Sequence, residues 1–289
     1  MTAVLAGRAA IVTGGSHGLG LEIARAYVAA GARVLVCARD ADALARARSE
    51  LESLARDRTS VATITADVAE PDAVEGLVGH AIERFSRVHV LVNNAGIYGP
   101  KGLTEDVSWD EWEHAVRVNL FGSVLCSRAV LPHFRENGYG KIIQLSGGGA
   151  TSPLPRLSAY AASKAAVVRF AETLAEELRG TGIDVNAVAP GALNTRLLDE
   201  VLEAGPGRVG TSFYGRAVEQ RASGGTPLDE AARLAVFLGS GASDGITGKL
   251  ISAPWDPWEE LPSHTDDLES TDVYTLRRIV PTDRGLSWS

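Results

Sequence analysis

Cysteine, methionine and lysine are scarce in this 289-residue chain, which holds two, one and four of them. Cys37 and Cys126 sit in apolar stretches with no framework spacing. A disulfide scaffold is therefore excluded, and both read as small buried hydrophobes. Long apolar runs are missing as well. None approaches the roughly 18 residues that span a bilayer, so no membrane partner is expected. Positive charge is not in excess: 28 Lys and Arg face 36 Asp and Glu, a net charge of −8. That balance argues against nucleic acid as a partner. The opening Met1-Thr2-Ala3-Val4-Leu5-Ala6-Gly7-Arg8 lacks the basic-then-apolar layout of a signal peptide. A cytoplasmic location fits all of this. No internal repeat is visible, and no metal site is expected.

What the chain does have is alternation. Short apolar β-type runs occur at Ala9–Val12, Val34–Cys37, Val61–Thr65, Val88–Val92, Ile142–Leu145 and Ile183–Val188. Between them, Leu19–Ala30, Ala41–Ala55, Asp72–Phe85, Trp109–Glu136 and Ser158–Arg179 have helical length and Ala/Leu content. Asp40 before the second helix and Pro71 opening the third are start signals. Parallel neighbours need a crossover, usually a helix, so strand–helix alternation predicts a doubly wound parallel sheet in three α/β/α layers. The reading is one Rossmann-type domain over residues 1–253, followed by an atypical tail, 254–289. Within the domain, Pro190–Pro227 is rich in Gly and Arg with weak periodicity, which predicts a mobile substrate loop or lid.

Thr13-Gly14-Gly15-Ser16-His17-Gly18-Leu19-Gly20 follows the first strand and opens the first helix. Glycines let a backbone approach a pyrophosphate closely, and a helix N-terminus offers free N–H groups to it. Further along come Asp67-Val68, Asn93-Asn94-Ala95-Gly96, Asn119, Tyr160-x3-Lys164 and Pro190-Gly191. Taken in order, these resemble the short-chain dehydrogenase/reductase family over residues 5–252, in its branch of single-domain enzymes. The resemblance implies a nicotinamide cofactor, B-face hydride transfer and a homodimer or homotetramer built through the helices carrying Asn119 and Tyr160. It also implies cofactor contacts from Gly14, Ser16, His17, Gly18, Leu19, Gly20, Asp67, Val68, Asn93, Ala95, Gly96, Pro190, Gly191 and Thr195, besides Tyr160 and Lys164.

Two local arguments sharpen that picture. Cys37-Ala38-Arg39-Asp40 puts alanine where similar NAD-using enzymes carry the acid that binds the ribose hydroxyls. Arg39 is suited to charge-assisted bonds with a 2′-phosphate, which favours NADP(H) over NAD(H), while Asp40 is expected to turn into its own helix as an N-cap. For the chemistry, interconverting an alcohol and a ketone by hydride transfer also requires a proton to move. Tyr160 alone is a weak base, with a reference pKa of about 10. Lys164, one helical turn on, lies on the same face and should lower that value by up to about three units. With six tyrosines and four lysines, chance placement gives only about 0.08 such pairs in the chain. In similar enzymes the residue at Asn119 kinks its helix and belongs to a proton relay with the lysine.

One position departs from the pattern. Similar enzymes carry a substrate-orienting serine about thirteen residues before the tyrosine, and here that residue is Gly147. Ser146 stands one place early, on what should be the opposite face of a strand end. Three readings are open: a one-residue shift that restores Ser146, replacement of the serine by Thr151, Ser152 or a substrate group, or impaired catalysis. The tail carries Trp255, Trp258 and Tyr274 among eight acids and three arginines, and such aromatics suit packing on the domain or on a neighbouring subunit. The function expected is an NADP(H)-dependent oxidoreductase acting on a secondary alcohol or ketone, on a polar substrate such as a sugar or cyclitol. The alternatives are a catalytically silent dinucleotide-binding sensor, an NAD-dependent relative, or a sugar-nucleotide epimerase or dehydratase. The last usually has different glycine spacing and a larger C-terminal domain.

Overall fold

A computed structural model describes residues 3–288; Met1, Thr2 and Ser289, included in the expected bounds 1–253 and 254–289, lie outside the described residues. Seven parallel strands form one sheet in the order β3-β2-β1-β4-β5-β6-β7. They are β1 (Ala9–Thr13), β2 (Arg33–Ala38), β3 (Val61–Thr65), β4 (Val90–Asn93), β5 (Gly140–Leu145), β6 (Ile183–Ala189) and β7 (Leu250–Ser252). Successive side chains along each strand enter different cores. Ala10, Val12, Val34 and Val36 pack under helices α1 (Gly18–Ala29) and α2 (Ala41–Leu54), with α9 (Leu228–Gly239) beside them. Ala9, Ile11, Leu35 and Cys37 pack under α3 (Pro71–Phe85), α5 (Gly122–Asn137) and α6 (Ser158–Glu177). Burial on both faces is why the strands read as apolar runs instead of alternating ones. Cys37 and Cys126 are both buried and unbridged.

Three expectations need correction. The single helix Trp109–Glu136 is interrupted: α4 (Trp109–Val116) passes through a π-helical turn, Arg117–Phe121, before α5 begins. The fourth strand starts two residues later than its apolar run, at Val90. The segment 190–227 is largely helical, with α7 (Arg196–Val209) and α8 (Thr211–Ser223) joined at Gly210. Leu198, Val201, Val209 and Ala217 form a small core of their own there, with Phe213 and Tyr214 against it. Glycine punctuation hides these helices in the sequence. Gly205 breaks α7 with a left-handed φ of 73°, so no apolar stripe runs unbroken for more than two turns.

The tail lies along the exposed edge of the sheet and back over one core. The Leu250 amide donates to the Tyr274 carbonyl at 2.7 Å, partly satisfying an edge that would otherwise be open. Lys249 Nζ donates to the Val273 carbonyl at 3.1 Å, and the Leu276 amide donates to Glu172 of α6 at 2.6 Å. Trp258 is buried against Phe237 of α9, ring centres 5.5 Å apart, while α10 (Thr265–Ser270) adds Leu268 to the same core.

Candidate active site

The sheet reverses direction of winding beside β1, whose neighbours are β2 and β4. A crevice outside the strands' C-terminal ends is expected at such a point, and a cleft of about 1020 Å³ lies there. Its walls include Gly14, Ser16, His17, Gly18, Leu19 and Gly20 from the glycine loop, Arg39 after β2, and Asp67 and Val68 after β3. Ala95 and Gly96 follow β4, Ser146 and Gly147 follow β5, and Pro190, Gly191 and Thr195 follow β6. Tyr160 and Lys164 face it from α6.

The glycine loop suits an anion. Gly18 holds φ +56°, a left-handed conformation costly for other residues, as α1 begins. His17, the N-cap of α1, makes no side-chain capping bond; its ring instead pairs with Ser16 Oγ at 3.0 Å. Burial and the nearby Arg196 cation hold His17 below the ordinary histidine pKa.

The pair Asn93-Asn94 divides its labour in a way the sequence left open. Asn93 is corrected from the cofactor groove to the core. Its amide is buried and donates to the Ser123 carbonyl and Ser127 Oγ, each at 3.3 Å, because strand alternation turns it toward α5. Asn94 is the cleft-side partner. Its Nδ2 donates to the Thr13 and Gly14 carbonyls at 2.9 and 3.1 Å, fastening the glycine loop to β4.

At the other end of the loop, Asp40 accepts the Ala43 amide at 2.9 Å and so turns into α2. Arg39 remains half-exposed over the cleft with its Nη1 3.7 Å from Asp67.

The floor is a closed chain of hydrogen bonds. The π turn projects Asn119 so that Oδ1 accepts the Ile97 amide at 2.8 Å, while Nδ2 donates to the Ile97 carbonyl and to Ser163 Oγ, both at 2.9 Å. Ser163 Oγ in turn donates to the Tyr160 carbonyl at 2.8 Å. Nothing in the sequence marked Ser163 beyond its place inside the Tyr-x3-Lys span. Lys164 Nζ donates to the Leu145 carbonyl at 2.7 Å and stands 5.9 Å from the centre of the Tyr160 ring. Tyr98 packs edge-on against Tyr160, ring centres 4.6 Å apart. The Tyr160 hydroxyl bonds to no described residue.

Here the electrostatics overturn an expectation. Burial, reinforced by Tyr98, pushes the Tyr160 phenol up instead of letting Lys164 bring it down. Burial also lowers Lys164 to about 8. Desolvation sets the direction for both groups. Ser146 is corrected too. Its Oγ is buried without a partner and does not reach the tyrosine hydroxyl. The position that points there is Gly147, where a Cβ would collide with that hydroxyl. Of the proposed substitutes, Thr151 lines the cleft and Ser152 does not.

Among the described residues, no three His, Cys, Asp or Glu side chains are grouped to hold a metal. No described helix is long and apolar enough to cross a membrane.

Comparison with known proteins gives the same class as the motifs. The family model for short chain dehydrogenases matches residues 8–205, and the chain belongs to that family of oxidoreductases acting on CH–OH groups. A short-chain type dehydrogenase/reductase of Picea abies is 34% identical over 257 residues, spanning 86% of this chain and 91% of the relative. A chloroplastic NADPH-dependent aldehyde reductase-like protein of Arabidopsis thaliana is 40% identical over 203 residues, 67% of this chain and 75% of the relative. Among solved structures, a single-substitution variant of actinorhodin polyketide ketoreductase with NADPH superposes with a TM-score of 0.78 at 30% identity, covering 87% of this chain and 97% of that one.

Proposed function

We propose that this chain interconverts a secondary alcohol and a ketone with NADP(H), using Tyr160 as the proton donor and acceptor. The observation that carries the reading is the Tyr160 hydroxyl itself: it faces the cleft, has no bond to a described residue, and stands over a buried lysine. When bound, the cofactor supplies or takes the hydride. Gly14, Ser16, His17, Gly18, Leu19, Gly20, Asp67, Val68, Ala95, Gly96, Pro190, Gly191 and Thr195 would hold it, with Arg39 on the 2′-phosphate.

A phenol held protonated by burial is in the acid form that ketone reduction requires. It gives its proton to the developing alkoxide, a much stronger base. Lys164, positively charged below about pH 8, stabilises the phenolate left behind. Asn119 and Ser163 fix the helical turn that carries both groups. Neither Ser146 nor a residue at 147 offers the substrate oxygen a second donor, so Thr151 or the substrate's own hydroxyl fills that role.

Residues 1–253 form the catalytic unit in this reading, with 254–289 as an extension of it. The assembly is a homodimer or homotetramer built on the faces of α5 and α6. The NADPH named for the Arabidopsis relative and for the ketoreductase structure supports the choice of cofactor. Arg39→Ala tests it. Losing a charge-assisted bond of about 1.5–3 kcal/mol should lower the ratio of NADPH to NADH kcat/KM about ten- to hundredfold. An unchanged ratio would remove the NADP assignment. Gly147 favours a second reading, a cofactor-binding sensor without turnover. NADPH binding with no NADPH oxidation across a broad carbonyl panel would select that one.

A further inference from the structure

We infer that Trp255 is the recognition platform of the substrate site, and that the substrate is a ring compound whose flat face lies on this indole. The inference rests on the oxidoreductase reading for the position of the reacting carbon, beside Tyr160. It also rests on four features of the tail. First, Trp255 follows β7, and β7 lies beside β6, whose end leads into Pro190 and Gly191. It therefore stands on the half of the sheet away from Arg39, where the substrate and not the adenosine must sit. Second, it belongs to the wall of the same cleft as Tyr160 while remaining 75% exposed.

Third, the turn beneath it is fixed on both sides. The Ala253 amide donates to the Ala189 carbonyl at 3.0 Å, and Asp256 accepts the Ser252 amide at 2.6 Å. Trp258, three residues on, is buried and donates its indole N–H to the Ala253 carbonyl at 3.2 Å. The backbone is thus locked while the Trp255 indole has no hydrogen-bond partner among the described residues. An exposed aromatic on a rigid mount loses little conformational freedom when something stacks on it.

Fourth, the lid lines the same space. Phe213, Arg216 and Gln220 lie on one face of α8 and line the same cleft, with Leu198 of α7 beside them. The Arg216 guanidinium lies 5.6 Å from the centre of the Phe213 ring. Aromatic faces with a few polar groups suit a rigid ring bearing oxygens on its edge. An acyclic ketone would leave Trp255 in water and gain nothing from it. Exposed Trp109 differs on these points: it already stacks on Trp112, ring planes 7° apart, and it does not line the cleft.

The test compares three probe ketones, 2-tetralone, myo-2-inosose and acetoin, with wild type, Trp255→Ala and Trp255→Phe. The first two separate an apolar, benzo-fused ring from a polyhydroxylated one; acetoin has no ring. Trp255→Ala should lower the preference for the better ring ketone over acetoin, in kcat/KM, about tenfold, which equals about 1.4 kcal/mol. Trp255→Phe should restore most of it, and the NADPH Kd should stay within about twofold in both. In parallel, indole fluorescence should be quenched by the ring ketone in wild type and not in Trp255→Phe. An unchanged ring preference in Trp255→Ala, with NADPH turnover intact, overturns the platform and leaves the oxidoreductase reading standing. Quenching lost in Trp255→Phe, in a protein that fails to oxidise NADPH across a broad carbonyl panel, upholds the platform and overturns that reading. Absence of both signals overturns both.

Discussion

The floor of the cleft and its far wall treat their polar groups in opposite ways. On the floor, Asn119, Ser163 and Lys164 are buried and bonded to one another or to the backbone. That leaves the Tyr160 and Ser146 hydroxyls without a partner among the described residues, and of these two the Tyr160 hydroxyl faces the cleft. On the far wall, Arg216 and Trp255 are open to the cleft, and the ion pair that ties α7 to α8, Arg221 with Asp199, lies at the surface. The two patterns match two tasks. Proton transfer needs one hydroxyl held to within a fraction of an ångström, and a dense buried network supplies that. Recognition needs surface that gains contacts only when a ligand arrives. The wall keeps such surface unsatisfied on a backbone that is itself held in place.

The largest effect expected from this contrast is at the floor. Tyr160→Phe removes the unpaired phenol hydroxyl and nothing else, because its ring packing on Tyr98 survives. Carbonyl reduction should drop about 10²- to 10⁴-fold, the usual worth of a positioned acid. NADPH binding and the melting temperature should barely change. Retained turnover would transfer the proton role elsewhere and break the contrast. A smaller effect comes from pH. Lys164 is held at about 8 by burial, so it loses its charge as pH rises through that value. The kcat/KM for reduction should be level near pH 6–7 and then fall about tenfold per unit above about 8. A level profile to pH 10 would mean that Lys164 stays charged and that the floor is more polar than its burial implies.

The sheet was legible because its strands are buried on both faces, and β3 begins and ends where its apolar run does, Val61–Thr65. That Tyr160 and Lys164 face one cleft from α6 was legible because four residues make about one helical turn. What stayed hidden depends on direction, which spacing does not encode. Asn93 and Asn94 are adjacent at a strand end, and only register decides which amide enters the core. Ser146 and Gly147 pose the same question, and the glycine holds the position that faces Tyr160. Trp255 and Trp258 lie three apart, yet the turn at Asp256 exposes one and buries the other. Helices α7 and α8 escaped notice because glycines cut their apolar stripes into pieces shorter than a periodicity can register. The sign of the Tyr160 shift was missed because a spacing argument counts charges and does not count lost water.

The smallest expected effect bears most directly on whether floor and wall are separate parts. Lys101 Nζ lies 3.1 Å from Glu200 of α7 and 5.7 Å from the centre of the Tyr98 ring, which packs on Tyr160. It therefore connects α7 to Tyr160, the proposed acid. Its side chain is 13% exposed and that of Glu200 31%. A partly solvated pair of this kind is worth about 1 kcal/mol or less. Lys101→Met keeps most of the length and apolar bulk while removing the charge. KM should rise about threefold with kcat within about twofold, since only the closing of α7 over substrate is weakened. Hydrogen exchange should quicken across residues 196–223 and stay unchanged across 158–164. Screening should reproduce part of the KM change when the wild type is assayed at high salt. If kcat falls as far as KM rises, or if exchange at 158–164 quickens equally, α7 is holding Tyr160 in place. Floor and wall would then be one mechanical unit, joined at Lys101.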